Sequence, residues 1–420
     1  MRQENIKLRQ FLIAALLFAA FLARASYSFY TYNRNSLRRV SLVQQTTIFD
    51  PDGYNRLGLA VLQRGELSLE PGKPLTSREP FYPLLLALAH FIFGLSPIVG
   101  MALNVLIGVL CCWMMYLITS IVFQDEFAAL MALAFAAFFP EWIYFSAVMF
   151  REPLIIFLTA LWAFLWQKYG REENPKTYLL MGLVFGSLAL TRSPMIPLGA
   201  AFVILAAFKI RSRAWLKTIG VFILTAFILE GIWMYRNERI LNRWVAGASI
   251  GGSVMYLSLL YNYSRPEIPL EAPLTDGKDP LINKVISEKM SLDQAEPLFY
   301  HACFEVLIHH PTIFFRAFLD KALKLWRPFP NPGWKYQQSL SFLKVVGLLT
   351  GGGLMLLGFI GTLIAFKRGC PIGFLITIPI VMTVVYGLFW AVMRYHTTLM
   401  VGVIPQAAYA LSLVFSKRES

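Results

Sequence analysis

The chain has 420 residues, of which 57% are hydrophobic and only 15% charged, against about 25% charge in an ordinary soluble domain, and its mean hydropathy is +0.57. That excludes a soluble globular protein. The net charge of +14, from 38 Lys and Arg against 24 Asp and Glu, comes without a Lys-rich tail or base-stacking module, so nucleic acid is excluded and membrane lipid or a phosphate-bearing substrate suits it better.

Apolar runs long enough for a hydrocarbon core of roughly 30 Å recur along the chain. They predict helices, because lipid-exposed backbone must satisfy its own hydrogen bonds and no barrel-type alternation is present. The first run, 10–31, follows Arg2, Lys7 and Arg9; the "ARAS" after it resembles a signal-peptidase site, but an uncleaved first helix is the reading adopted. Next comes 80–94, apolar but only roughly 22 Å long as a helix, which is short for a crossing. Further spans are expected at 97–121, 127–147, 153–168, 177–191, 195–210, 216–235, 340–366, 371–392 and 397–415, about ten transmembrane helices in all.

Charge in the short turns sets the orientation. If 80–94 lies in the interface, then Lys168, Arg171 and Lys176, then Lys209, Arg211, Arg213 and Lys217, then Lys367 and Arg368, and finally Lys417 and Arg418 all fall on the side of the N-terminus. Both termini are then cytoplasmic, and two long loops, 32–96 and 236–339, are extracytoplasmic. Within the second loop, 309–329 reads as an interfacial helix with Phe314, Phe318 and Leu325 on one stripe, Arg316, Lys321 and Lys324 toward another side, and an end at Trp326 and Pro328.

The chain shows no internal repeat and reads as a single all-α polytopic membrane domain over 1–420. Cys111, Cys112, Cys303 and Cys370 have neither CxxC nor metal-ligand spacing, and no disulfide is expected. The run Gly351 to Gly353 reads as close helix packing. Asn262, Tyr263 and Ser264 match a glycosylation acceptor.

The informative residues are ionisable groups near the predicted outer helix ends, since charge beside hydrocarbon costs several kcal/mol unless paired, solvated or useful (about 2.5–3.5 at a helix centre). Asp50 and Asp52 follow the first helix. Arg78 and Glu79 precede the interfacial segment, Arg151 and Glu152 occupy the next turn, Arg192 ends a span, Arg236 follows another, and Arg394 and His396 open the last. A carboxylate among arginines fits transfer from a lipid-phosphate donor: a base for the acceptor hydroxyl and cations for the departing phosphate. Structural roles compete at each position. Asp50 and Asp52 in "DPDGY" suit a turn; Arg24, Arg151, Arg192 and Arg236 suit snorkelling or pairing; His396 suits a satisfied polar residue, with no HxxxH or HExxH pattern beside it.

Segments 49–65 ("FDPDGYNRLGLAVLQRG") and 77–94 ("SREPFYPLLLALAHFIFG") resemble the first outer loop of the GT-C membrane glycosyltransferases. The resemblance is to the bacterial type related to dolichyl-phosphate-mannose protein mannosyltransferases and the aminoarabinose transferase of lipid A. Asp50, Tyr54, Pro80, Tyr82 and Pro83 carry it. Glu152 in 138–158 matches the family's second acidic position, Arg192 its helix ending in Arg, Arg236 and Asn237 its Trp-x-x-Arg-Asn element, and 394–411 its last helix. Two departures stand out: Asp50 is followed by Pro51, with Asp52 one place later, and Arg151 replaces a small residue before Glu152.

The resemblance implies a GT-C-like bundle and an inverting glycosyltransferase that takes sugar from a polyprenyl-phosphate donor to a hydroxyl acceptor on protein, lipid or glycan. Asp50 would be the base, and Asp52 and Glu152 would orient acceptor or sugar. A divalent cation, Mg or Mn, is compatible. The lipid phosphate and sugar would be held by Arg78, Arg151, Arg192, Arg236, Asn237, Arg394 and His396, with Tyr54 and Tyr82 shaping the pocket. A bacterial inner membrane is the expected setting. The rival functions are a lipid-linked glycan ligase or polymerase, and a transporter or flippase; transporters place ionisable groups near the midplane and often repeat internally, which this sequence does not show.

Overall fold

The computed structural model describes residues 2–36, 50–170, 172, 174–209, 213–264, 279–328 and 340–416. Among these the chain is helical, with one isolated bridge between Glu70 and Lys73 in place of any strand. The long first helix α1 (Arg2–Ser36) is followed by two loop helices, α2 (Tyr54–Arg64) and α3 (Phe81–Phe93). Then come α4 (Pro97–Phe123), α5 (Glu126–Phe138), α6 (Pro140–Ser146), α7 (Glu152–Tyr169) and α8 (Pro175–Ala189). A 3-10 turn at Ser193–Met195 leads into α9 (Ile196–Lys209) and α10 (Arg213–Leu241). The second long loop carries α11 (Gly251–Ser264), α12 (Pro280–Ser287), α13 (Leu292–His309) and α14 (Pro311–Leu325). The chain closes with α15 (Leu340–Gly347), a π turn at Leu348–Gly352, α16 (Gly353–Lys367), α17 (Gly373–Leu388) and α18 (Met393–Ser416).

Among the described residues five helices are long and apolar enough to cross a membrane: Ile6–Arg34, Pro97–Phe123, Leu216–Leu241, Lys344–Lys367 and Arg394–Phe415. The expected spans at 153–168, 177–191, 195–210 and 371–392 form as the shorter helices α7, α8, α9 and α17. The run expected at 127–147 is broken: α5 and α6 meet at a 52° bend, because Pro140 lacks the N–H needed to continue the ladder and forces Phe139 into extended backbone. Segment 80–94 forms the 13-residue α3, about 20 Å long and too short to cross by itself. Of the basic turn residues, Arg171, Arg211, Lys417 and Arg418 lie outside the described residues, as do the side chains of the triplet at 262–264.

The centre of the bundle is aromatic. Trp162 on α7 stacks on Phe222 of α10 at 5.9 Å and meets Phe374 of α17 edge-on at 5.1 Å, while Phe185 of α8 and Phe202 of α9 complete the cluster. One ring system therefore fastens five helices, with edge and stacked geometries each worth about 0.5–1.5 kcal/mol beyond burial. All four cysteines are free.

Arg24 sits inside the first span but does not reach water. It is fully buried, and its guanidinium donates to the carbonyls of Ala136 and Ala137 at 3.0 and 2.9 Å. Those are among the orphan carbonyls at the end of α5, where a cation also meets the negative end of the helix dipole. Lys321 corrects the expected amphipathic pattern of 309–329. Rather than facing away with Arg316, it is buried and its Nζ donates to Ser258 Oγ at 3.1 Å and to the carbonyls of Leu388 and Phe389 at 2.9 and 3.1 Å. It caps α17 from across the second loop. Helical spacing could not reveal this, because the partner that demands a cation is a remote helix end.

At Gly351–Gly353 the packing is moderate: a Cβ on Gly351, in the π turn, would meet Pro328 at 3.3 Å, whereas one on Gly353 would meet nothing within 4 Å. The tight crossing is between α16 and α18, at Gly358 and Gly361. A Cβ on Gly361 would lie 1.9 Å from the Gln406 carbonyl oxygen, a backbone atom that cannot rotate aside. Gly361→Ala is therefore expected to destabilise the detergent-solubilised protein by about 1–3 kcal/mol or more, as overpacking does, while Gly353→Ala is neutral or slightly stabilising. Thermal unfolding of the two variants against wild type checks this.

Candidate active site

The site begins in the turn "DPDGY". Gly53 takes a left-handed conformation, φ 78°, and its N–H bonds the Asp50 carbonyl at 3.1 Å, closing the turn just before α2. The Asp50 carboxylate folds back to cap that helix, accepting from the Asn55 and Arg56 N–H groups at 3.0 and 2.9 Å. It is fully buried, and burial pushes its carboxyl up despite those donors and the Arg56 charge. Asp52, two residues on, is left over at the turn tip.

Asp52 accepts from Arg394 Nη1 at 2.8 Å, joining the first loop to the start of the last helix. Burial opposes its ionisation, but Arg394, Arg78 and Arg151 together hold the carboxyl below its usual range. Arg394 also lies 3.7 Å from Glu152, the first residue of α7, and Glu152 lies 3.5 Å from Arg192 at the end of α8. Helix dipoles favour two of these placements, a carboxylate at the N-terminal end of α7 and a guanidinium after the C-terminal end of α8. They oppose the third: Arg394 stands at the N-terminal end of α18, and Asp52 and Glu152 offset that cost.

A second pair lies alongside. Glu79 forms an ion pair with Arg151 and accepts from Ser193 N and Oγ at 2.7 and 2.8 Å. Burial acts against its ionised form, yet Arg151 and the Ser193 donors hold its carboxyl low. Tyr54 connects the two groups, with Arg78 and Arg151 centred 5.4 and 5.3 Å from its ring. Burial pushes its phenol up to about 12, so the hydroxyl keeps its proton. Tyr82 meets Tyr54 edge-on at 5.5 Å and donates to Asn104 at 3.1 Å; Asn104 in turn donates to the carbonyls of Val148 and Phe150, holding the turn that presents Arg151 and Glu152. The Arg192 guanidinium carbon lies over Tyr395, 3.7 Å from the ring centre.

The chemistry of this group follows from its count. Four guanidiniums (Arg78, Arg151, Arg192, Arg394) face three carboxylates (Asp52, Glu79, Glu152), leaving a surplus positive charge. Both Glu152 oxygens, Arg192 Nε and the Tyr54 hydroxyl are buried without a hydrogen-bond partner, and such groups are seldom left so in native proteins. The arrangement is suited to an anion with additional hydroxyls. It does not fit a divalent cation: Asp52 and Glu152 already face guanidiniums, and among the described residues no group of three or more His, Cys, Asp or Glu is placed to ligate an ion.

Three of the residues expected at the site lie elsewhere, and Asp50, the cap just described, stands at its edge, where it and Glu152 both act electrostatically on Tyr82. Arg236 stacks over Trp233 at 4.4 Å and donates to Asn237, and Asn237, fully buried, donates to the carbonyls of Val245 and Gly247; together they fold the loop after α10. His396, two residues beyond Arg394, turns its Nδ1 to Glu141 Oε2 at 2.9 Å, since neighbours two apart on a helix face nearly opposite ways. Conversely, Ser193, Asn104 and Tyr395 belong to the site although the sequence marked none of them, and Glu79, counted among the ionisable groups at the outer helix ends, was given no role there. Adjacency to Arg394 was the one signal for Tyr395; nothing local marks Ser193 or Asn104.

Comparison with known proteins bears on this geometry. The family model described as dolichyl-phosphate-mannose-protein mannosyltransferase matches residues 73–234, a stretch that includes Arg78, Glu79, Arg151, Glu152 and Arg192. The structure is similar to that of the archaeal oligosaccharyltransferase AglB from Archaeoglobus fulgidus in complex with an inhibitory peptide and a dolichol-phosphate, at TM-score 0.56 and 17% identity over 97% of this chain and 50% of that one. The same oligosaccharyltransferase tethered to an acceptor peptide gives TM-score 0.55 and 16% identity, again over 97% and 50%. ArnT from Cupriavidus metallidurans bound to undecaprenyl phosphate gives TM-score 0.43 and 12% identity over 94% and 77%. The chain thus spans half the length of the oligosaccharyltransferase it matches. No curated protein matches in sequence. The fold is that of the GT-C membrane glycosyltransferases.

Removing the Glu79 carboxylate leaves Arg151 buried without its counter-charge, which costs about 3–5 kcal/mol in buried pairs. Glu79→Gln is expected to lower the melting temperature, and the double variant Glu79→Gln/Arg151→Met to recover a large part of the loss. A double-mutant cycle by thermal unfolding measures the coupling.

Proposed function

We propose that the chain is a membrane glycosyltransferase that moves a sugar from a polyprenyl-phosphate donor to a hydroxyl acceptor, with Asp52 as the base. The observation that carries this reading is Asp52 itself: a carboxylate on a turn tip, bonded to Arg394, within a cluster carrying more guanidiniums than carboxylates. The family model over 73–234 and the dolichol-phosphate held by the structurally similar oligosaccharyltransferase support a lipid-phosphate donor.

In this reading the acceptor hydroxyl gives its proton to Asp52 as its oxygen bonds to the anomeric carbon. The bond from that carbon to the phosphate oxygen breaks, and the electron pair leaves with the polyprenyl phosphate. One displacement inverts the anomeric centre. Arg394 and Arg192 face the growing negative charge on the phosphate, and arginine matches phosphate oxygens through paired N–H groups. Glu152, between those arginines, accepts from the sugar hydroxyls. Asp50 is assigned a positioning role, since its oxygens are committed to backbone N–H groups and it is fully buried; it sets the turn that aims Asp52. The site lies on the extracytoplasmic face of a bacterial inner membrane, with both termini cytoplasmic, an orientation supported by the basic short turns.

The test compares glycolipids and glycoproteins by mass spectrometry in cells lacking the gene and complemented with variants. Asp52→Asn is expected to reduce transfer by about 10²–10⁴, the usual worth of a positioned base, while Asp50→Asn retains measurable transfer with lowered thermal stability. Full transfer by a folded Asp52→Asn variant overturns the assignment. A product carrying several sugars per event would instead identify a lipid-linked glycan ligase. Because Asp52 is held ionised by its arginines, acidification removes the base only as pH falls through a value below the ordinary carboxylate range, so the acid limb of a pH–rate profile is expected there.

A further inference from the structure

Away from the charged site, α11, α13 and α14 form an open cavity of about 390 Å³ lined by Met255, Tyr300, Cys303, Phe304, Leu307 and Phe314, with His301 alongside. Apart from the Tyr300 hydroxyl and His301 the lining is hydrocarbon, aromatic ring or sulfur, and the His301 side chain is 75% exposed. The volume is that of a small ligand site, and at ~30 Å³ per heavy-atom group, the share of one water in the liquid, it takes roughly a dozen methylenes.

The surroundings say what kind of hydrocarbon enters it. On α13, Tyr300, Phe304 and Ile308 recur every fourth residue and are all exposed; on α14, Phe315, Leu319 and Leu323 do the same. Tyr300 and Phe304 line the cavity as well, and the Phe315 ring lies 6.2 Å from that of Phe314. The apolar helix faces therefore run into the cavity. A contiguous row of six such exposed side chains calls for an apolar partner.

The depth of α14 in the membrane follows from its packing on α17, a 16-residue apolar helix. The Phe318 ring occupies the space beside Gly387, where a Cβ would approach to 2.5 Å, and Lys321 binds the carbonyls of Leu388 and Phe389. So α14 crosses the end of that apolar helix, six residues before Arg394 and at the same end of the bundle as the charged site. A helix at that level with an exposed apolar stripe meets lipid at the hydrocarbon boundary.

We infer that this cavity is a lipid site, taking one acyl chain of a membrane phospholipid from the leaflet on the side of the charged site. Chain entry covers Tyr300, Phe304 and Phe314 and fastens the second long loop to the bilayer. The inference does not depend on the proposed reaction.

The test uses the full chain in nanodiscs containing phosphatidylglycerol with a photoreactive diazirine in its acyl chain, followed by mass spectrometry of labelled peptides. Labelling is expected within 300–307 and at Met255, in addition to labelling of the spans. Leu307→Trp, which fills the cavity, is expected to lower cavity labelling about tenfold, one decade in affinity, while labelling of α4 and α18 stays constant as the internal reference. Met255→Trp fills it from the opposite wall should Leu307→Trp unfold. Absence of label at the cavity, or equal label in wild type and a folded filled variant, overturns the inference. So does a dimer by light scattering that Leu307→Trp dissociates, which would make a second copy the occupant.

Discussion

The organisation of this protein depends on what becomes of charge that has been removed from water. Carrying an unpaired ion into low dielectric costs several kcal/mol even after relaxation, so each buried charge must find either a counter-ion or a set of oriented dipoles. The pairing of Asp52 with Arg394 is the long-range instance: it ties a turn near the start of the chain to the first turn of its last helix, and through Glu152 and Arg192 it draws in α7 and α8.

Two kinds of buried ion can be told apart by their partners. Arg24, Lys321 and Asp50 are each held by the end of a helix, respectively the carbonyls closing α5, the carbonyls closing α17 and the N–H groups opening α2, with Arg24 keeping its Nε–H unbonded. Helix termini leave backbone groups unbonded and carry partial charge, so such caps complete the fold. Asp52, Glu152, Arg192 and Arg394 instead face one another across different elements, with hydrogen-bonding capacity left over on Glu152 and Arg192. Leftover capacity in a dry, charged place is what a ligand uses. The same contrast separates His396 from Arg394, neighbours in sequence whose side chains serve opposite faces of one helix.

The surrounding structure makes that cluster rigid. Asn104 fixes the carbonyls at Val148 and Phe150, Ser193 fixes Glu79, and Glu79 pairs with Arg151, so the fold itself sets where these side chains stand. Away from it, α14 rests on the end of α17 through Lys321 and Phe318, which brings the second long loop to the level at which the site opens.

By itself the sequence determined that the chain belongs in a membrane, that it is helical, and that its ionisable residues concentrate at helix ends, because hydrophobic run length and the cost of intramembrane charge are local properties. The pattern around Asp50, Tyr54 and Tyr82 also carried the resemblance to the GT-C glycosyltransferases, whose fold the structure has. The division of labour was decided only by tertiary structure. Whether Asp50 or Asp52 faces Arg394 depends on which carboxylate the left-handed Gly53 turn folds back onto α2. Whether Lys321 is buried depends on a helix end more than sixty residues away, and whether Glu79 or Arg236 joins the cluster depends on how Ser193 and Trp233 happen to be packed. The role of a charged side chain is set by the partner that compensates it, and in a bundle that partner comes from another part of the chain.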